Sequence, residues 1–433
     1  MAYSYTANFV DRLLMKLDGS IAPIWNRLFL VIDKPIDETV LVQSFRQLIL
    51  ETPRLRSLWV KDAQQWHEQS FATIQARIKL PYDRELFSTN ERIRKILANR
   101  DNSLADLPVR LSYGAVSDHG QEASLLTLEF HHGAGDGHSV ILLIKRFWQI
   151  LEHALHSAPL NPTPISQPEL TDGMIIKRIL KQPGQFLKLA KSENRQLARR
   201  ASPLKHEAQH IGLPTLLSFK VNKGLLAELK PSSLFYAAIL AAIIRLEDQD
   251  VSKNIRLRVP VDVRQPFNLS FTSIGNACSA IIVEFDLQEM RSLFYANPQR
   301  MIQVIEAKFK QQLRSELYIA NALECLLASK IASQSSMHHA APQELLGNHR
   351  SSSLVITFMG EVSHLITPPQ PFNLLDVRSH TPVWGVNGFI YQDNMHINLS
   401  CFEGIWPPEV QQQFSQYIID FLTRDSIIDR VVT

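Results

Sequence analysis

Two mixed α/β units in one chain are predicted by three observations: a length of 433 residues, strand-patterned and helix-patterned stretches in both halves, and a proline-rich break between them. A single hydrophobic core rarely grows to that length, so two units of about 200 residues each are expected. Hydrophobic residues make up 45% of the chain and charged residues 20%, the balance of a soluble globular protein.

In the first half, Asn26 to Ile32 is rich in large apolar groups and reads as a strand. Asp37 to Leu50 follows with Val40, Leu41, Phe45, Leu48 and Ile49 on one helical face, and Pro53 stops the helix. Leu58 to Val60, with Trp66, marks a short strand. Leu111 to Gly114 and Ser124 to Phe130 form two more, separated by a polar turn at Ser117 to Gln121. Helical spacing resumes from Ser139 to Leu155. The first unit is thus expected to span residues 1–160.

Prolines 159, 162, 164, 168, 183, 203 and 214 break the pattern. Residues 161–215 read as a crossover linker holding a helix from about Gly173 to Arg200. The second unit, 216–433, is expected to carry helices at Lys223 to Lys230, Ser232 to Arg245 and Pro408 to Thr423. Its strand candidates are Ile255 to Val259, Ala277 to Phe285, Leu354 to Phe358 and Met395 to Ser400.

Composition excludes several classes. Asp11, Arg12 and Lys16 interrupt the N-terminal stretch, so it lacks the apolar core of a secretory signal. The longest apolar run, Phe235 to Ile244, is about half a bilayer span. A net charge of +3 is too small to imply nucleic acid. Cys278, Cys325 and Cys401 are widely spaced and show no CxxC pairing, which fits small buried hydrophobes in a reducing cytoplasm.

The residues that carry chemistry are His131-His132-Gly133-Ala134-Gly135-Asp136-Gly137, between the strand Ser124 to Phe130 and the helix beginning at Ser139. Small residues at 133, 134, 135 and 137 leave a turn open enough for a substrate to approach the imidazole closely. A neutral imidazole is suited to take a proton near pH 7. Asp136 is expected to fix the turn, by capping the next helix or by pairing with a distant arginine. On residue types alone, a structural turn and a metal site stand beside the catalytic base. Against a metal, successive side chains on a strand point to opposite faces.

This string resembles the HHxxxDG motif of the chloramphenicol acetyltransferase-like superfamily, which includes nonribosomal peptide condensation domains, alcohol acetyltransferases and polyketide-associated acyltransferases. Thr52-Pro53-Arg54-Leu55-Arg56 is similar to that group's HPxLR stretch, and Pro260-Val261-Asp262-Val263-Arg264 with Gly275-Asn276 is similar to its PvdlR…GN stretch. Leu354 to Gly360 resembles a late strand-glycine stretch of the alcohol acetyltransferases. The plant-type DFGWG string is absent; Thr381 to Gly385 is its faint echo. With order and spacing matching along the whole chain, the resemblance implies two α/β lobes forming a V with a central substrate channel.

It also implies an activity and roles: acyl transfer from a thioester, on coenzyme A or an acyl carrier protein, to a hydroxyl or amine acceptor. His132 would be the general base. His131 and Gly137 would shape the loop, and Asp136 would pair with Arg264 across the lobes. No cofactor or metal is implied, since the thioester is itself a substrate. The oxyanion would be held by loop amides between Gly133 and Gly137 or by a second-lobe hydroxyl. With no carrier or adenylation region in the sequence, a stand-alone enzyme is expected. The competing reading is a degenerate relative that binds a carrier or peptide without turnover; the intact His132 disfavours it.

Between residues 174 and 205 stand Lys177, Arg178, Lys181, Lys188, Lys191, Arg195, Arg199, Arg200 and Lys205 against the single acid Glu193. With interleaved Ile175, Ile176, Leu180, Phe186 and Leu187, the stretch suits an acidic carrier protein, an anionic membrane surface or plain solvent.

Overall fold

The computed structural model of the chain describes residues 4–18, 24–78, 80–99, 107–118, 120–156, 170–181, 183–184, 213–222, 229–246, 254–319, 321–322, 326, 354–382, 384–403 and 406–423. They form two compact units. Unit 1 comprises Met1–Asp172, Asp262–Cys278 and Val362–Pro382, and unit 2 the rest. The contiguous partition drawn from sequence, 1–160, 161–215 and 216–433, has no room for such interleaving. Two later segments return to unit 1 because its sheet and its loop need them, as the site geometry makes clear.

In chain order, the elements of the first third are β1 (Ser4–Thr6), α1 (Phe9–Leu17), β2 (Trp25–Ile32), α2 (Glu38–Glu51), β3 (Ser57–Val60), β4 (Gln65–Glu68), α3 (Phe71–Ile74), β5 (Tyr82–Ser88), α4 (Thr89–Ala98), β6 (Val109–Asp118), β7 (Gln121–His131) and α5 (Gly137–Leu155). After them come α6 (Asp172–Lys181), β8 (Pro214–Asn222), α7 (Pro231–Leu246), β9 (Asn254–Asp262), β10 (Cys278–Asp286), α8 (Leu287–Ala296) and α9 (Pro298–Arg314). The last part holds β11 (Leu354–Glu361), α10 (Ser363–Ile366), β12 (Leu374–His380), β13 (Gly385–Tyr391), β14 (Asn394–Phe402) and α11 (Pro408–Leu422).

Unit 1 is organised around a five-stranded sheet in the order β12-β2-β7-β6-β5. Strand β2 is buried along its whole length, as its apolar run predicts for a strand covered on both faces. Strands β6 and β7 are longer than the sequence reading expects. Their pairing continues to Asp118 opposite Gln121, with Gly120 at φ 83° just before β7. On the helical side, α2 is capped by Asp37, whose carboxylate accepts from Val40 N at 3.0 Å. Helix α2 ends at Glu51, and Pro53 opens a 3-10 turn through Arg56. Glu51 then meets Arg146 of α5, whose Nε donates to Oε2 at 2.7 Å.

Unit 2 has a six-stranded sheet ordered β10-β9-β11-β13-β14-β8. Helix α7 runs beside it with Leu234, Phe235 and Ala237 to Ile244 all buried, which accounts for the longest apolar run as a core helix rather than a membrane span. Among the described residues no helix is long and apolar enough to cross a membrane. The expected helix at 223–230 falls largely on residues 223–228, outside the described set. The crossover helix expected at 173–200 appears as α6 to Lys181, and residues 185–212 lie outside the described set. Cys401 is buried and its thiol pushed up to about 12 by burial, Cys278 is half-buried, and Cys325 lies outside the described residues.

Register explains one buried titratable group. His380 of β12 sits opposite Arg27 of β2, which in turn sits opposite Glu129 of β7. Arg27 Nε donates to Glu129 Oε1 at 2.6 Å, whereas neither ring nitrogen of His380 has a partner among the described residues. Burial, with the Arg27 charge beside it, holds His380 well below the ordinary imidazole value of 6.5. As pH falls through that value the unfolded chain takes up a proton that the folded chain refuses. Stability is therefore lost at about 1.4 kcal/mol per pH unit per such group until the folded pKa is reached. His380→Leu is expected to reduce this slope by about one proton; urea midpoints measured from pH 5 to pH 7 check it, and an unchanged slope would refute it.

Candidate functional site

The site begins where β7 ends. Strand register places His131 opposite Trp25, and the two rings meet edge to face with centroids 5.2 Å apart. His131 is fully buried; its Nδ1 accepts from Gly133 N at 3.1 Å, and its Nε2 lies 3.3 Å from Asp18 Oδ1. A nitrogen that accepts carries no proton, so neutral His131 has its proton on Nε2, facing that carboxylate. Its carbonyl also receives Ala134 N at 2.8 Å. The amides of Gly133 and Ala134 are thus committed to His131, which removes both from the set of oxyanion donors.

His132 is half-buried and faces a different environment. Its backbone N–H donates to Ile24 O at 2.8 Å, and its Nδ1 lies 3.2 Å from Gly135 O. A carbonyl only accepts, so Nδ1 carries the proton and neutral His132 presents a bare lone pair at Nε2. Among the described residues nothing bonds to Nε2. Burial pulls the pKa of His132 below its ordinary value, and the nearby Asp136 charge opposes that pull.

Asp136 closes the loop. Its Oδ1 caps α5 by accepting from Ser139 N at 3.0 Å and lies 2.9 Å from Ser139 Oγ, while its Oδ2 accepts from Ala277 N at 3.0 Å. Arg264, wholly buried, donates from both terminal nitrogens to the two carboxylate oxygens, at 2.9 and 3.1 Å. This fork–fork arrangement is the geometry for which guanidinium is suited. Arg264 also donates to Gly275 O at 3.0 Å, and Asp262 Oδ1 lies 3.2 Å from it. The arginine holds Asp136 well inside its ionised range against the cost of burial. The pair spans 128 positions, yet both residues belong to unit 1, because the chain leaves β9 at Asp262 and joins that unit. It is internal to one unit rather than the link across lobes that the resemblance implies.

The small residues of the loop also have a different purpose from the one expected. A Cβ on Gly133 would stand 2.4 Å from Met15 Sδ, and one on Gly135 would stand 2.3 Å from a ring carbon of buried Phe130. These two glycines, beside buried Ala134, make room for the Met15 and Phe130 side chains packed behind the loop. Gly137 alone of the three is exposed with open space where a Cβ would be. It is the position at which the turn lies open.

Other parts of the resemblance converge on the same loop. Asn276, in the Gly-Asn pair, donates from Nδ2 to His132 O at 2.7 Å and to Asp11 Oδ1 at 2.8 Å. Arg54 donates from Nε to Ala134 O at 3.0 Å and pairs with Asp11 Oδ2. Arg56 turns elsewhere, to Glu68 and the last carbonyls of α2. Sequence reading missed Ser139 and Asp11. Ser139 stands three places after Asp136, where a cap partner is expected; Asp11 gave no local signal. Among the described residues no group of three or more His, Cys, Asp or Glu side chains is arranged to hold a metal ion.

Because Arg264 and Asp136 are buried, deleting either charge leaves the other uncompensated. Asp136→Asn and Arg264→Met are each expected to destabilise the protein by about 3–5 kcal/mol. The double variant should be less unstable than the sum of the two. Simple additivity in urea unfolding would show that the fork does not hold the loop.

No protein-family model matches the chain, and no curated protein does. Solved structures do match along its whole length. The trichothecene 15-O-acetyltransferase from Fusarium sporotrichioides superposes with a TM-score of 0.74 at 12% identity, covering 98% of this chain and 95% of that one. The first condensation domain of the calcium-dependent antibiotic synthetase gives 0.64 at 14% identity, covering 98% and 97%. Polyketide synthase associated protein 5 from Mycobacterium tuberculosis gives 0.62 at 15% identity, covering 98% and 99%. The chain has the fold that this acetyltransferase and the condensation domain share, the fold its motifs resemble.

Proposed function

We propose that the protein transfers an acyl group from a thioester to a hydroxyl or amine, with His132 as general base. One observation carries this reading: His132 Nδ1 is committed to Gly135 O, so the lone pair at Nε2 is the basic end of a ring held by a braced loop. In the step proposed, Nε2 takes the proton of the acceptor as its oxygen or nitrogen attacks the thioester carbonyl. The tetrahedral intermediate collapses with cleavage of the C–S bond, and the imidazolium returns the proton to the leaving sulfur. The products are an ester or amide and a free thiol, with no covalent enzyme intermediate. Ground-state imidazole is neutral near pH 7, because burial lowers its pKa.

The donor is proposed as an acyl-CoA or a phosphopantetheine-linked acyl group, and the acceptor as a small molecule. An epimerization domain of tyrocidine synthetase B also has this fold, with a TM-score of 0.60. Epimerisation likewise needs a base, but it releases no thiol. Incubating the purified protein with a panel of acyl-CoAs and acceptors, with thiol release as readout, therefore tests the reading directly. His132→Ala is expected to lose about 10²–10⁴-fold in rate while unfolding at the wild-type urea concentration. Retained turnover in that folded variant would end the assignment of the base. The acid limb of kcat/KM should inflect below the ordinary imidazole value of 6.5; protonation at lower pH removes the base, so an inflection above that value counts against it.

The basic stretch 174–205 is proposed as a contact for an acidic carrier protein or an anionic membrane surface. In the described part, α6 exposes Ile176 and Leu180 beside Lys177 and Lys181. Reversing Lys177, Lys181, Lys188 and Lys191 to Glu should weaken saturation by carrier-linked donor, or flotation with anionic vesicles, at low salt. The effect should fade as salt rises, because exposed charges are screened beyond about 10 Å at 0.1 M. Turnover of free acyl-CoA should stay the same. A reversed variant that equals wild type in both assays would make the stretch a solvated linker.

A further inference from the structure

The hydrogen bond from His132 Nδ1 to Gly135 O selects the basic nitrogen, so whatever orients the Gly135 carbonyl controls the chemistry. The loop between them contains Gly133 and Gly135, which impose little conformational preference of their own. Its carbonyls must therefore be held from outside. Two of them are held by a single buried network. Asn276 Nδ2 donates to His132 O and Arg54 Nε to Ala134 O, at 2.7 and 3.0 Å. Both donors meet on Asp11, which takes Arg54 on Oδ2 and Asn276 on Oδ1. Asp11 is 1% exposed, Arg54 5% and Asn276 0%.

We infer that Asp11 and Arg54 are positioning residues for His132, acting through Asn276 and the His132 and Ala134 carbonyls to lock the imidazole in its Nδ1–H tautomer. This rests on the reading of His132 as the base. The logic is one of donor and acceptor counting. An Asn side chain can present either its NH₂ or its oxygen to a neighbour. Asn276 faces two groups that only accept, the His132 carbonyl and the Asp11 carboxylate, so both amide protons are spent on them and the oxygen is turned away. That oxygen, Asn276 Oδ1, is buried and has no partner among the described residues. The orientation is thus imposed by the two acceptors, at the cost of an unpaired carbonyl oxygen. Arg54 pairs with the Asp11 carboxylate at 2.5 Å and stacks over the Trp66 ring at 4.9 Å. The first turn of α1 holds the assembly in register. Asn8 Oδ1 accepts from Asp11 N at 3.0 Å, and Asn8 Nδ2 donates to Asn276 O at 2.7 Å.

The tautomer can be read without any substrate. Nitrogen-15 spectra of the histidine-labelled full chain distinguish a protonated Nδ1 from a protonated Nε2, and His132→Ala identifies the signal. Wild type should show Nδ1–H. Asp11→Asn, which can donate as well as accept, and Arg54→Lys, which keeps the charge but loses the Nε–H donor, should both shift His132 toward a mixture of tautomers. With acyl-CoA as probe donor, both should lose kcat, on the order of 10²-fold for a misplaced base, at unchanged KM. Should Asp11→Asn fail to fold, Arg54→Lys decides alone. An unchanged Nδ1–H signal in either folded variant overturns the inference, as does a wild type that carries the proton on Nε2. A locked tautomer in a wild type that releases no thiol would instead refute acyl transfer and leave the lock standing.

Discussion

The fork between Arg264 and Asp136 is the contact on which the rest of the loop depends. It is buried, so neither charge can be relieved by water, and each oxygen of the carboxylate carries a second task. One caps helix α5 through Ser139, and the other holds the segment after β9 through Ala277 N. A single carboxylate thus joins the start of a helix, a returning segment of the second half and the end of the loop. The ion pair is costly to bury, and what it secures in return is position. Two charges that must satisfy each other bidentately tolerate little displacement of the backbone that carries them.

Adjacent histidines divide the work at the end of β7. Strand geometry sends neighbouring side chains to opposite sides. His131 goes inward, against Trp25 and Asp18, where it organises the amides of Gly133 and Ala134. His132 emerges half-buried, with Nδ1 on Gly135 O. The same ring is thereby placed once inside the scaffold and once at its margin. The difference lies in how Nδ1 is spent on the protein: that of His131 accepts, and that of His132 donates.

Much of this was legible in the sequence, and the parts that were not share a cause. The strands at β2 and β7 and the helices α2 and α5 announce themselves by apolar spacing, and the histidine loop by its glycines. Strand β12 escaped because Asp376, Arg378 and His380 interrupt its apolar pattern, as is usual for a strand at the edge of a sheet. Helix α9 was overlooked although Met301, Ile302, Ile305 and Phe309 mark its buried face at helical spacing. Asp11 was invisible for a different reason. Its two partners lie 43 and 265 positions away, so no local window contains the reason for its charge. Gly137 is open as expected, but Gly133 and Gly135 are not, because close packing from behind leaves the same signature in a sequence as access from in front.

The interleaving of unit 1 bears on how the protein comes into being. A ribosome that has made residues 1–172 has produced most of that unit's sheet, but β2 is then an unpaired margin, since β12 is still unmade. Asp136 has no counter-charge until residue 264 emerges. A nascent first half therefore presents an apolar strand edge open to other chains, and a buried acid without its arginine. Structural completion of unit 1 waits for residue 382, long after its first segment is made. Loss of residues 362–382 alone would thus leave β2 without its β12 partner.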